Sequence, residues 1–265
     1  MKYDDKVSLI GIYQGRLMLF IMELFSEEYI CKRCVNLGKN DKLAIHSIIN
    51  SGNSVYLADS HNNKIYRYNY ILNEFSDVTV GRDPRHMAVD KENMYVANND
   101  KLYTCCYEEN EIIEYSGNKE IIRRFTTEGK PMHMFMLDDC LIVMTYFVNG
   151  NVHTKINFID IESNKIKKTV LIEGLASDFD IDYKRQLLFL INIDDKNLYI
   201  IDAVKKEILK TIFVGGYPES LTVGTDNIYV TNSKKNHITV VESDKLTASK
   251  VINLEFTPSC IKVIN

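Results

Sequence analysis

Three histidines stand at matching points of a spaced series. His46, His86 and His133 each open an apolar stretch, in Ala-Ile-His-Ser-Ile-Ile, Pro-Arg-His-Met-Ala-Val and Pro-Met-His-Met-Phe-Met, and Asp178, Ser220 and Cys260 take the same place farther along. Half of the 6 histidines of the chain are in this one column. Neutral imidazoles with a carboxylate or a thiolate are a transition-metal ligand set. His46, His86, His133 and Asp178 are therefore the candidate metal ligands, with zinc the first guess and copper the second. With a metal in place, Asp178 would be a fourth ligand or the base for a bound water, and Arg85 would hold an anionic group of a substrate. Without one, the column is a polar, hydrated mouth for a ligand, and no catalytic residue is assigned.

Other reactive side chains have plainer readings. Cys31-Lys-Arg-Cys34 has the spacing of a zinc knuckle or a redox pair, but no second ligand pair or helix start accompanies it. On a strand its two cysteines, three apart, would face opposite ways, as would the adjacent Cys105 and Cys106. Met87, Met132, Met134 and Met136 could join His133 as soft copper ligands, although thioethers also fill irregular gaps between twisted sheets. Asp59, Asn98, Asn192 and Asn232 share one repeat position and are expected to cap a turn. A Gly-rich phosphate loop and a nucleophile elbow are both absent.

The elements that carry these residues come from a repeat. The 4 prolines, Pro84, Pro131, Pro218 and Pro258, each lie two residues before a column residue, and Ala44 and Ala176 stand in their place in two further units. The column spacings are 40, 47, 45, 42 and 40 residues, within the range of propeller blades. A second strand follows at Val55 to Asp59, Met94 to Asn98, Leu141 to Thr145, Leu188 to Asn192 and Ile228 to Asn232. Third strands are expected at Ile65, Ile156, Leu198 and Ile238, and fourth strands at segments such as Ile208 to Val214. Four short strands per unit without a helical period predict an all-β fold, a β-propeller of four-stranded antiparallel blades.

Closure sets the expected blade count at six. Ser8 to Tyr13 and Leu17 to Leu24 begin a blade, Cys31 to Cys34 lies in its outer strand, and Cys260 to Ile264 would complete it. Seven units at this period would need roughly 300 residues. The expected organisation is a single domain over 1–265: blade one at 1–38 plus 256–265, then 39–80, 81–128, 129–173, 174–215 and 216–255. The column residues, with Arg85 and Glu219 beside them, would then ring one mouth of a central channel.

Met94-Tyr-Val-Ala-Asn98 and Ile228-Tyr-Val-Thr-Asn232, each after a Pro-x-x-apolar strand, resemble the YVTN-repeat propellers that include YncE-like proteins. The other units carry the pattern loosely, with Thr145 in the place of Asn and Ala44 or Ala176 in the place of Pro. That family is mostly seven-bladed and often exported, and this chain departs from it on both points. The histidine column also resembles the six-bladed amidating lyases and propeller antibiotic lyases. There the histidine directly follows the proline, a place held here by Arg85, Met132, Glu219 and Ser259. Strand side chains alternate, so this displacement leaves a seam between blades as a second destination for the histidines.

Composition narrows the function. With 32 Lys and Arg against 36 Asp and Glu, the chain lacks the electrostatic footprint of a nucleic-acid binder. The apolar segment Val7 to Phe25 is interrupted at Gln14-Gly15-Arg16 and follows Asp4 and Asp5, unlike a signal peptide or a membrane helix. The 6 cysteines suit free thiols and a cytoplasmic setting, and abundant Lys, Asn and Ile suit an A/T-rich bacterial genome. The leading expectation is a non-enzymatic scaffold binding a peptide, small ligand or protein partner at the channel mouth. A metal-dependent lyase or hydrolase and a structural component of a bacterial assembly are the alternatives, with oligomeric state open.

Overall fold

The computed structural model describes residues 5–25, 27–80, 82–89, 102–106, 109–115 and 120–264. The first strands are β1 (Asp5–Tyr13), β2 (Arg16–Leu24) and β3 (Tyr29–Lys39). Next come β4 (Ile45–Ser51), β5 (Ser54–Asp59), β6 (Lys64–Asn69) and β7 (Glu74–Thr79), then β8 (Pro84–Val89), β9 (Leu102–Cys106), β10 (Glu111–Tyr115) and β11 (Ile121–Thr126). They are followed by β12 (Lys130–Leu137), β13 (Cys140–Asn149), β14 (Asn151–Asp160) and β15 (Lys165–Glu173). The last are β16 (Ala176–Asp182), β17 (Leu187–Asn192), β18 (Asn197–Asp202), β19 (Glu207–Phe213), β20 (Pro218–Val223), β21 (Asn227–Asn232), β22 (His237–Glu242), β23 (Thr247–Asn253) and β24 (Thr257–Val263).

Among the described residues these strands form six antiparallel four-stranded sheets. Five are meanders of consecutive strands, while in the sixth β24 pairs with β1 in the order β24-β1-β2-β3. The hairpin that opens the chain turns at Gln14 and Gly15, whose φ values of 50° and 75° suit a two-residue turn between paired Tyr13 and Arg16. One expected strand differs. The partner of β8 is Leu102–Cys106, and Met94 to Asn98 lies outside the described residues.

The sheets group into two compact units. One holds residues up to Leu43 and from Ala176 onward, and the other holds Ala44–Leu175. In the first unit, Val7, Leu9, Phe20 and Met22 bury their side chains with Tyr229, Val240 and Ile252 of the neighbouring sheet. Phe20 stacks on Phe256 with ring centroids 4.1 Å apart. Another seam joins Phe189, Leu198 and Ile200 to Leu221, Ile228 and Val230. In the second unit, Met134 and Met136 are buried with Ile112, Phe125 and Leu141, which is the gap-filling role expected of thioethers. Strand alternation produces this pattern, since one apolar face of each sheet must find the face of the next.

Candidate binding face at the strand starts

The edge strands β4, β8, β12, β16, β20 and β24 each carry one extra residue against their partner near the start. This β-bulge coincides with the sequence column. Proline has no N–H to give to a ladder, so a pairing that begins at proline and then slips by one residue leaves no ladder acceptor waiting for it. Pro131 faces Thr145, Ala176 faces Asn192 and Pro218 faces Asn232, which places His133, Asp178 and Ser220 two residues beyond the paired start.

The register corrects the place of His46. Ile45, not Ala44, faces Asp59, so the residue equivalent to His133, Asp178 and Ser220 is Ser47, and His46 is the bulged residue itself. The hydrogen bonds agree: Ala44 N donates to Asp59 Oδ1 at 3.0 Å just as Tyr217 N donates to Asn232 Oδ1 at 2.8 Å. His46 therefore matches Met132, Ser177 and Glu219 rather than His133. Without a proline in this unit the sequence left the register free by one residue. Arg85 and His86 lie in β8, but their side chains are outside the described residues.

In the first unit the column residues tie one sheet to the next. The buried carboxylate of Asp178 accepts Ser220 Oγ at 2.6 Å and Leu221 N at 2.9 Å, and Ser220 Oγ accepts Ile261 N at 3.2 Å. Two residues on, Asp180 Oδ2 accepts Thr222 Oγ1 at 3.2 Å and Val223 N at 3.0 Å, while Thr222 Oγ1 accepts Val263 N at 3.1 Å. Lys262 Nζ closes on Asp180 at 2.7 Å. β20 and β24 are edge strands, so the N–H groups on their unpaired side have no ladder partner, and side chains of the neighbouring sheet accept them. Asp180, Thr222 and Lys262 had no place in the sequence reading. Their signal was a second polar residue two positions after Asp178, Ser220 and Cys260.

Glu219 and Cys260 complete this end of the unit. Glu219, half-buried, accepts Ser233 Oγ at 2.5 Å, and burial holds its carboxyl above the usual carboxylate range despite that bond. The Cys260 thiol is pushed up by burial first and by the Asp178 and Glu219 carboxylates second. That direction disfavours the thiolate, the form a nucleophile needs.

The second unit has a different feature at its strand starts. Asp59, Asn192 and Asn232 each end a second strand, and their side-chain oxygens take backbone N–H groups of the turn or of the adjoining segment. Thr145 holds that position in β13 and the strand runs on to Asn149, because a β-branched residue favours extension and has no carboxamide to close an Asx-type turn. The β13–β14 hairpin thus projects beyond the start of β12, turning at Gly150. Phe147 and His153 stack at 5.3 Å on one face of it. Lys155 Nζ lies 4.4 Å from the Phe147 ring centroid and 3.2 Å from Glu128 Oε2. Val148 at the tip is 66% exposed. His133 is buried at the start of the same sheet.

Among the described residues no three or more His, Cys, Asp or Glu side chains are grouped so as to hold a metal ion. No described helix is long and apolar enough to cross a membrane.

No family model matches the chain, and no curated protein matches it in sequence. Solved structures do resemble it. A chain of a nidogen/laminin complex superposes with a TM-score of 0.72 at 13% identity, covering 98% of each chain. Apo AztD from Citrobacter koseri gives a TM-score of 0.57 at 13% identity, over 98% of this chain and 97% of that one. The Neurospora crassa Pan2 WD40 domain gives 0.59 at 12% identity, over 93% and 80%. At such identities the likeness speaks to fold alone, and the fold it shows is an all-β propeller of antiparallel four-stranded blades.

Proposed function

We propose that this chain is a non-enzymatic binding scaffold that engages a protein partner through the end where its innermost strands begin. The six sheets act as six blades of one propeller in this reading, with β24 completing the first. The observation that carries it is the β13–β14 hairpin, which lifts Phe147, Val148 and His153 beyond the start of β12, with Lys155 against the Phe147 ring at its base. Aromatic and cationic side chains on a projecting hairpin are the composition of an interface centre. The committed hydrogen bonds of Asp178, Ser220 and Asp180 support a rigid frame in preference to a reactive centre. A chain with a similar fold comes from a nidogen/laminin complex. A cytoplasmic setting fits the free thiols of Cys31, Cys34, Cys140 and Cys260.

The test replaces residues 147–153 with a two-residue Asn-Gly turn and compares partner capture with wild type and with an Ile71→Asp/Leu72→Asp variant at an exposed turn between β6 and β7. Loss of the same captured protein from the hairpin variant alone is expected, at unchanged melting temperature. Equal capture by both variants overturns the assignment. Metal content of protein purified without a polyhistidine tag addresses the enzymatic alternative. Stoichiometric metal that persists in Cys31→Ser and disappears in a His46/His86/His133→Ala triple variant would replace the scaffold reading with a metal enzyme.

A further inference from the structure

The Cys31-Lys-Arg-Cys34 segment lies on β3, the outer strand of its sheet, and its register overturns the expectation that the two thiols face apart. Cys34 pairs with Phe20, Arg33 with Ile21, and Cys31 with Met22, leaving Lys32 as an extra residue opposite this stretch of β2. Phe20 and Met22 are two apart on a regular strand and share a face. Cross-strand partners share a face as well, so Cys31 and Cys34 are on that same face. The ion pair confirms the count independently. Lys32 Nζ reaches Glu23 at 3.0 Å, and Glu23 is on the opposite face of β2 from Phe20 and Met22. Lys32 and Arg33 are therefore the two consecutive same-side residues of a bulge, and the cysteines flank them on the other side. Cys31 Sγ also donates to the Arg33 carbonyl oxygen at 3.3 Å, which directs the sulfur along the strand toward Cys34. Both cysteines are free and exposed, and the Cys31 charge acts on Cys34.

We infer that Cys31 and Cys34 form a two-thiolate site for copper(I). Residues effectively two apart on an extended strand are about 6 to 7 Å apart at Cα, at the wide limit of disulfide geometry. A metal bridging two sulfurs spans that gap. Zinc in a protein asks for four donors, and the described residues supply no group of three. Copper(I) is soft, is selected by thiolates, and is satisfied by two of them in a near-linear arrangement. Binding is proton-coupled without redox change: Cu⁺ adds to two thiols, two S–Cu bonds form, and two protons leave to solvent. Protons compete with the metal for the two sulfurs, so copper affinity climbs with pH.

Copper(I) titration against a chromophoric chelator, under nitrogen with the protein fully reduced, tests the site. Wild type should take up one tightly held copper(I) that is about 100-fold or more weaker in Cys31→Ser and in Cys34→Ser, where chelation is lost. Cys140→Ser should match wild type. The decisive variant is Arg33→Cys/Cys34→Arg, which keeps two thiols and brings them closer in sequence but places them on opposite faces. It should bind as weakly as the single serine variants, with a circular dichroism spectrum identical to wild type. Tight copper(I) in this variant or in either serine variant, or none in wild type, overturns the proposal.

Discussion

At the scale of single residues, Asp178 has the clearest energetic role. Its carboxylate holds a hydroxyl and a backbone N–H of the adjacent sheet, and both are buried. Asp178→Ala leaves those donors without an acceptor and is expected to cost about 3 kcal/mol in urea unfolding. Ser220→Ala, which loses the same hydroxyl bond, should cost less, and the double variant less than the sum because the two share one interaction. Glu219 has the opposite character. Burial raises its carboxyl in the folded state, so the folded protein holds a proton over a pH range where the unfolded chain has released it. Stability contributed at this position is therefore present at low pH and lost as pH rises through the raised value. Glu219→Gln, which keeps an acceptor for Ser233, should melt higher than wild type at pH 7, with the difference closing on acidification. A gap that widens toward low pH would contradict the buried-carboxyl account.

Among the elements, the β13–β14 hairpin shows how one residue type alters a blade. Asp59, Asn192 and Asn232 close their strands, whereas Thr145 lets β13 continue. The start of β12 must then pass close to the extended strand. Gly129 has φ of 104°, and a Cβ there would stand 2.6 Å from the Tyr146 carbonyl oxygen. Gly129→Ala should destabilise the protein by about 1–3 kcal/mol, since backbone conformation and space both oppose a side chain. Differential scanning calorimetry would record it, and an unchanged transition would mean that the two segments separate readily.

For the whole molecule, the pairing of β24 with β1 joins residues 254 apart in sequence, as in the bond from Ser8 Oγ to the Lys262 carbonyl oxygen. It covers an edge of β1 whose Val7, Leu9 and Ile10 are fully buried. Deleting residues 257–265 should expose that edge, lower the melting temperature and drive self-association, because an uncovered apolar edge strand templates another chain. Monomeric behaviour with an unaltered melt, by scattering and calorimetry, would count against the role given to β24.

The sequence alone determined the four-strand unit, its period and the column where each innermost strand begins, because proline position and period-two alternation act locally. It also marked Thr145 as the departure from the turn residue and the methionines as seam filling. The bulges were hidden from it. A bulge is a mismatch between two strands, so neither strand shows it alone, and a slip of one residue exchanges the faces of side chains. That is why His46 matched His133 in sequence but not in register, and why Cys31 and Cys34 read as facing apart yet share a face. The partner of β8 is Leu102–Cys106, a pairing between strands that the sequence of neither strand shows alone. Tertiary structure also decided the work of Asp178 and Ser220: their type is polar in either reading, and only the adjacent sheet supplies the N–H groups that occupy them.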